Sequence, residues 1–109
     1  MTTTYKVLAQ NNPSATTQTT LYTCGAASGA VVSTITICNQ ASSAATYRIA
    51  VQPAGASLVA KHYIVYGATV PASDTTTLTL GITLANTDVL SIYASSATLS
   101  FNAFGSELS

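Results

Sequence analysis

Apolar and small polar residues alternate along most of this chain. The alternation is clearest in residues 31–38, VVSTITIC, and in residues 77–95, TLTLGITLANTDVLSIYAS, which turn once at residues 85–88. A repeat of two positions is typical of a strand that buries one face, and no segment keeps helical spacing long enough to predict a helix. Turn signals about every ten positions separate eight such runs, a pattern typical of a sandwich or small barrel. The predicted strands are residues 5–9, 19–23, 31–38, 47–52, 61–66, 76–82, 89–94 and 99–104.

These runs predict one all-β domain over residues 1–109, folded as an antiparallel β-sandwich of jelly-roll type with about eight short strands. A chain of 109 residues is the size of one ordinary domain and can bury one core. Because side chains alternate between the two faces of a strand, one row of each strand is predicted to face the core. The core rows are Val31, Ser33, Ile35 and Ile37; Tyr47, Ile49 and Val51; Leu78, Leu80 and Ile82; Leu90, Ile92 and Ala94; and Leu99, Phe101 and Ala103. The outward rows are Val32, Thr34, Thr36 and Cys38; Thr77 and Thr79; Val89, Ser91 and Tyr93; and Asn102 and Phe104.

Residues 10–18, QNNPSATTQ, interrupt the alternation with a polar segment that has no aromatic or branched apolar side chain. Pro13 lacks a backbone N–H and biases Asn12 toward extended geometry, so a helix and a central strand are both disfavoured. We therefore expect an extended loop or arm that contacts a neighbouring protein through Asn12 and Pro13. An ordinary long surface connection is the alternative.

Charged residues are scarce. Asp, Glu, Lys and Arg form 6% of the chain and its net charge is zero, where about 25% of charged residues is usual. A chain without a basic patch is poorly suited to bind nucleic acid, so we expect no nucleic-acid partner. No apolar run approaches the roughly 20 residues that span a bilayer, so we expect no membrane partner. Residues 1–4, MTTT, do not begin a signal peptide, and we expect synthesis in a cytoplasm without export by the general secretory route.

The predicted outer faces are small, uncharged and partly apolar, with Val32, Tyr93 and Phe104 among them. Soluble monomers usually protect open strand edges with Lys, Pro or bulges, and net charge keeps them apart. This chain has two lysines and no net charge. We therefore expect a homo-oligomer, with a trimer as the preferred form, whose interfaces include these three residues together with Asn12 and Pro13. The alternative is a monomer that its many Thr and Ser hydroxyls keep soluble.

Candidate groups for catalysis or metal binding are few and scattered. His62 is the one histidine, so a histidine-based metal cluster within one chain is ruled out, and an ordinary surface or interface position is favoured. Cys24 and Cys38 lack the second cysteine pair that a zinc site needs, and free thiols are favoured over a disulfide, which stays possible. Asp74 and Asp88 fall in predicted turns, where aspartate makes local hydrogen bonds. We therefore expect no catalytic residue, no cofactor, no metal site and no enzyme activity.

Two long stretches carry a family resemblance: residues 15–56, ATTQTTLYTCGAASGAVVSTITICNQASSAATYRIAVQPAGA, and residues 62–107, HYIVYGATVPASDTTTLTLGITLANTDVLSIYASSATLSFNAFGSE. A Thr-Leu-Tyr-Thr strand leads through a turn into an alternating Val/Ile strand that ends in Cys-Asn. The next strand reads Tyr-Arg-Ile-Ala-Val, and the last one Leu-Ser-Phe-Asn-Ala-Phe-Gly. Over residues 5–108, the chain resembles the small β-sandwich structural proteins of tailed bacteriophages. It departs from them at Cys24 and Gly25, where a Val-Pro turn is more typical.

This resemblance implies a non-enzymatic virion protein, made in the host bacterial cytoplasm and located in the virion. The implied partners are copies of itself and other virion proteins, such as major capsid or tail proteins. The preferred function is a capsid decoration or cement protein. The alternative is a tail, neck, baseplate or fibre component, including a receptor-binding module that recognises host-surface glycans through a groove lined by some of the six tyrosines. Packing on the strands is the competing role for those rings.

Overall fold

The computed structural model describes residues 2–109. This part of the chain contains eight strands and no α-helix. The strands are β1 (Thr3–Asn11), β2 (Thr19–Thr23), β3 (Ala30–Asn39), β4 (Ala45–Gln52), β5 (Tyr63–Val70), β6 (Thr75–Leu84), β7 (Val89–Ala94) and β8 (Leu99–Leu108). Two single-turn 3-10 helices, Pro53–Gly55 and Ala60–His62, lie between β4 and β5. The predicted all-β class and the eight predicted strands are confirmed, and several strands are longer than predicted.

The strands form two antiparallel sheets of four strands each. Sheet A has the order β1-β8-β3-β6, and sheet B has the order β2-β7-β4-β5. This order is that of an eight-stranded jelly roll. The predicted sandwich of jelly-roll type is therefore confirmed, with β1 and β6 at the edges of sheet A and β2 and β5 at the edges of sheet B.

The core lies between the two sheets and is filled by aromatic and branched side chains from both. Phe101 of β8 meets the ring of Tyr47 from β4 edge to face, with the ring centroids 6.2 Å apart and the planes at 72°. Such a contact adds about 0.5–1.5 kcal/mol to the free energy gained by burial. The other large apolar side chains with almost no exposure are Ile35, Ile37, Ile49, Leu84, Leu90, Ile92, Leu99, Val32 and Val70. The predicted core positions of Ile35, Ile37 and Ile92 are thus confirmed.

A β-bulge in β3 exchanges the predicted faces at the start of that strand. The register with β8 shifts between Val32 and Thr34, which leaves Ser33 as an extra residue. An extra residue moves the side chains before it to the other face of the sheet. Val32 is therefore fully buried, whereas Ser33 is exposed and Val31 is half-buried. The predictions that Val31 and Ser33 face the core, and that Val32 lies on an outer face and in an interface, are wrong.

The irregularity continues from β3 into both neighbouring strands of sheet A. In β8, a Cβ on Gly105 would lie 1.9 Å from the Val31 carbonyl oxygen, so the close approach of the two backbones requires glycine. In β6, Leu80 and Gly81 have no partner in the register with β3, and Gly81 has a φ of +63°. Leu80 is turned out of the core with 46% exposure, so its predicted core position is wrong.

One polar side chain joins the two sheets inside the core. Asn39, the last residue of β3, is buried, and its amide nitrogen donates to the carbonyl oxygens of Ser43 and Val70 at 2.9 and 3.2 Å. Its amide oxygen accepts the Ala41 N–H at 3.0 Å and the Thr98 hydroxyl at 3.1 Å. Both polar atoms of this amide are satisfied, and their contacts fix β3 against the end of β5 and the loop before β8.

Residues 12–18 cross from β1 to β2 and are bound to their own chain. The Asn12 side-chain amide donates to the Leu99 carbonyl oxygen at 2.7 Å, and Pro13 is buried. The Thr16 N–H donates to the Ala94 carbonyl oxygen at 2.8 Å. The nine residues predicted as an arm therefore divide in two. The first two belong to β1 and pair with β8, and the rest form an anchored connection.

Candidate functional site

Residues 53–62 fold over the outer face of sheet B, between β4 and β5. Leu58 of this segment lines a small cavity together with Ser91, which is buried although the alternation placed it on an outward row. The Ser91 hydroxyl donates to the amide oxygen of Gln52, which directly precedes the segment. His62 ends the segment and is also buried, with its Nδ1 accepting the Val59 N–H at 3.2 Å. The predicted surface or interface position of His62 is therefore wrong, because its ring is buried within the fold and closes the turn from Val59 to His62.

A groove of about 680 Å³ lies beside this segment on the outer face of sheet B. Tyr63 and Tyr66 of β5 line it, and their rings meet edge to face with centroids 4.9 Å apart. Tyr66 is the more open of the two, with 65% exposure. The other lining residues are Gln18, Leu58, Val59 and Ala60. We call this set of residues the tyrosine groove.

Arg48 lies between two tyrosine rings next to the groove. In the sheet, Arg48 of β4 is the direct partner of Tyr66 of β5 on one side and of Tyr93 of β7 on the other. Its guanidinium carbon lies 4.2 Å from the centroid of the Tyr66 ring and 4.3 Å from that of Tyr93. Such cation–π contacts hold a planar guanidinium over the ring faces. Since Tyr66 belongs to both this cluster and the tyrosine groove, the two form one continuous surface.

A groove lined by tyrosines was predicted only as an alternative and without naming its residues, although the sequence contains a signal for its position. Arg48 is the one arginine of the chain and stands in the otherwise uncharged strand YRIAV. A charged side chain is seldom placed in such a strand without a partner or a solvent-exposed position, so its neighbours are informative. Which residues become neighbours of Arg48 depends on the register between β4, β5 and β7, and these strands are distant in sequence.

Sheet A presents a second candidate surface, at its edges and on its outer face. Tyr5 and Val7 of β1 are exposed at 84% and 48%, and Leu80 is exposed on the opposite edge strand, β6. Phe104 of β8 is half-buried on the outer face, and with Tyr5 it lines a shallow groove of about 380 Å³. Lys6 of β1 binds the Glu107 carboxylate of β8 at 3.1 Å, so the charge at this edge is partly neutralised.

The residues predicted to lie in the interfaces of this chain are found in separate places. Val32 is part of the core and reaches no surface. Tyr93 packs on Arg48 at sheet B, whereas Phe104 lies on the outer face of sheet A. Asn12 and Pro13 lie in the connection between β1 and β2. Val32 is therefore excluded from the predicted interfaces, and a role for the other four residues stays a prediction.

Other reactive groups are dispersed over the fold. Within residues 2–109, no group of three or more His, Cys, Asp or Glu side chains is placed to hold a metal ion. Cys24 and Cys38 are free thiols, as the sequence favoured, the first buried and the second half-buried. Over the same residues, no helix has both the length and the apolar character needed to cross a membrane.

Two surfaces therefore remain as candidates for function. The first is the tyrosine groove with Arg48 on sheet B, and the second is the pair of open edges on sheet A. The chain matches no protein-family model, and no curated protein or solved structure is significantly similar to it.

Proposed function

We propose that this chain is a non-enzymatic structural protein of a tailed-bacteriophage virion. In this proposal it serves as a capsid decoration or cement protein that associates with copies of itself and with the capsid. The observation that carries the proposal is the pair of long edges on sheet A. β1 has nine residues and β6 has ten, and no strand within residues 2–109 pairs with the outer side of either. Free backbone N–H and C=O groups along such an edge recruit a further strand.

These edges lack most of the features that protect the sheets of monomeric proteins. β6 contains no charged residue and no proline, and Lys6 of β1 is engaged by Glu107 of the same chain. Tyr5, Val7 and Leu80 expose apolar surface along the two edges. A bulge interrupts each edge strand but leaves regular ladder on either side of it. Pairing with another copy would cover both the free backbone groups and the apolar side chains.

The virion assignment is supported by the resemblance of residues 5–108 to structural proteins of tailed bacteriophages. The jelly roll occurs in viral capsid domains and also in lectins, so the fold alone does not choose a function. The composition adds support, because a chain with 6% charged residues and open edges is suited to surfaces that neighbours cover.

A second function is supported by the tyrosine groove: a tail, neck, baseplate or fibre component that recognises a receptor. The groove combines aromatic rings with the amide of Gln18 and lies beside the cation of Arg48. Apolar and aromatic walls with a few polar groups are typical of ligand-binding sites. Since the groove lies on the outer face of sheet B and the two longest edge strands belong to sheet A, ligand binding and self-association would use separate surfaces.

Electron microscopy of purified virions, labelled with an antibody against this chain, tests the location. Label on the capsid is the expected result, and label on the tail or fibres would favour the second function. Virions without label would contradict both.

Sedimentation of the purified chain tests self-association through sheet A. Leu80→Lys places a charge on the β6 edge and is expected to shift the chain from oligomer to monomer. Ile64→Lys makes a comparable change at a side chain with the same 46% exposure on β5 of sheet B, and it is the control. A monomeric wild-type chain at micromolar concentration, or equal effects of the two variants, would contradict association through these edges.

A further inference from the structure

We propose that Arg48 and the tyrosine groove bind a sugar ring that carries a carboxylate, as uronic acids do, within a surface polysaccharide. The inference deepens the second function above and rests on it for its biological setting, whereas the binding itself can be measured on the isolated chain. Three features of sheet B carry it. These are the packing of the Arg48 guanidinium on two tyrosine rings, the lack of an internal anion for it, and the aromatic groove beside it.

The orientation of Arg48 leaves one part of its side chain free for a ligand. Tyr66 and Tyr93, its partners on the two neighbouring strands, pack on the guanidinium at nearly equal distances. These aromatic contacts do not use its N–H groups as hydrogen-bond donors to an anion, and those groups form the fork that binds a carboxylate through two parallel hydrogen bonds. Within residues 2–109, every buried side-chain nitrogen or oxygen has a hydrogen-bond partner. The N–H groups of Arg48 that lack a partner are therefore not buried, and they reach solvent.

The acidic side chains of this protein are all engaged elsewhere. Glu107 forms the one ion pair found within residues 2–109, with Lys6 on sheet A. Asp74 and Asp88 accept backbone N–H groups in turns. A partly buried cation is costly to desolvate unless an anion compensates it. The surroundings of Arg48 are therefore complementary to a ligand that brings its own negative charge.

The tyrosine groove supplies the contacts that a sugar ring needs beside its carboxylate. Tyr63 and Tyr66 present aromatic surface on which the C–H groups of a pyranose can pack. The Gln18 amide can both donate to and accept from sugar hydroxyls. The groove volume of about 680 Å³ lies within the range of roughly 300–1,000 Å³ that small-molecule sites occupy.

The cation and the groove are close enough to act on one ligand. Arg48 lines a small cavity that shares Gln18, Leu58 and Tyr63 with the groove. A carboxylate at the guanidinium edge would therefore hold its ring against the tyrosines. An inorganic anion would use Arg48 alone, and a neutral sugar would use the groove alone, so the two parts together select an acidic sugar.

NMR titration of the isotopically labelled chain with two matched sugars tests the proposal. Methyl glucuronide and methyl glucoside differ only in a carboxylate that replaces a hydroxymethyl group. The glucuronide is expected to shift the backbone signals of β4, β5 and Gln18. The glucoside is expected to bind about ten-fold more weakly or worse, because it lacks the charge-assisted hydrogen bonds to Arg48.

Variants separate the two parts of the site from general effects of charge. Arg48→Gln is expected to abolish the preference for the glucuronide. Lys6→Gln removes the same charge from sheet A and is expected to bind as the wild type does. Gln18→Ala truncates an exposed side chain, so it tests the sugar contact without disturbing the core, and it is expected to weaken both sugars.

Several outcomes would overturn the proposal. These are equal binding of the two sugars, unchanged glucuronide binding by Arg48→Gln, and no shifts with either sugar at millimolar concentration. Equal shifts with inorganic sulfate would reduce the site to a general anion site and would also overturn it. Virion labelling is independent of these results. A chain that binds the glucuronide but labels no virion keeps the sugar site and loses the virion function, and the reverse result keeps only the structural role.

Discussion

The hydroxyl of Tyr22 in β2 donates a hydrogen bond to the carboxylate of Glu107 in β8, and so joins the edge of sheet B to sheet A. This hydrogen bond lowers the pKa of the Glu107 carboxyl, and the contact with Lys6 lowers it further. Burial raises the pKa of the Tyr22 phenol, and the bond to Glu107 adds to that shift. Both shifts favour a neutral phenol and a charged carboxylate, which is the pair that the bond requires.

We expect Tyr22→Phe to reduce the acid sensitivity of the fold. Because folding lowers the pKa of Glu107, its contribution to stability is present above the ordinary carboxyl pKa of about 4.3 and is lost as the pH falls through the lowered value. Urea unfolding at about pH 7 and about pH 3 is expected to show a larger loss of stability for the wild type than for the variant. Tyr5→Phe, at an exposed ring, is the control and should follow the wild type. Equal acid sensitivity of Tyr22→Phe and the wild type would contradict this coupling.

Gly105→Ala is expected to destabilise the fold by well over about 1 kcal/mol, since the added Cβ has no space. It would meet the Val31 carbonyl oxygen at 1.9 Å, and relief requires the β3 and β8 backbones to separate. Gly25→Ala is the matched control, because nothing lies within 4 Å of a Cβ at that position. Thermal unfolding measures both. Similar melting temperatures for the two variants would show that the close approach of β3 and β8 is not needed.

Because of the bulge in β3, we expect truncation of Val32 to destabilise the fold more than truncation of Val31, the reverse of what the alternation alone predicts. Val32→Ala should cost roughly 2 kcal/mol, from two buried methyl groups and the cavity they leave. Val31→Ala should cost less than about 1 kcal/mol, because that side chain is only half-buried on the outer face. Urea denaturation of the isolated chain compares them directly. A larger loss for Val31→Ala would restore the unbroken alternation and refute the bulge.

Asn39→Asp should destabilise the chain by about 3 kcal/mol or more at neutral pH, because a buried carboxylate cannot donate to the carbonyl oxygens that the amide binds. The control is Asn102→Asp. The Asn102 Oδ1 accepts from the Gln10 side chain at 2.7 Å, and a carboxylate can do the same. The free energy of unfolding at neutral pH is the measurement. A small effect of Asn39→Asp would mean that the hydrogen bonds joining the sheets at this point contribute little.

Strand number and the central core could be predicted because local alternation determines them. Ile35, Ile37 and Phe101 lie beyond the bulge, in stretches where the period of two is unbroken, and their faces were predicted correctly. Val31 and Val32 lie before it, and one extra residue reversed them. Gly105 marked the irregularity in the sequence, but a lone glycine near a strand end has many explanations.

The residues of the groove could not be predicted because they are brought together by the register between distant segments. Arg48, Tyr66 and Tyr93 become neighbours only when β4 pairs with both β5 and β7. Alternation fixes which face a side chain takes, but it does not fix which residue on the next strand lies opposite. The segment of residues 53–62, which covers part of sheet B, was also not predictable from the sequence. Its few apolar residues showed no periodicity, although Leu58 lines a cavity on sheet B and His62 is buried.

The two edges of sheet A run in opposite directions, because three antiparallel pairings separate β1 from β6. A second copy in the same orientation would therefore place its β1 antiparallel to β6 of the first, and the sheet would continue without a break in hydrogen-bond pattern. Such a contact joins two unlike edges, so each added copy leaves one edge free for the next. Growth then ends only where the rotation between copies closes a ring, and otherwise gives a helical filament. In such an assembly, the bulges in β1 and β6 would bend the paired edges and so contribute to that rotation.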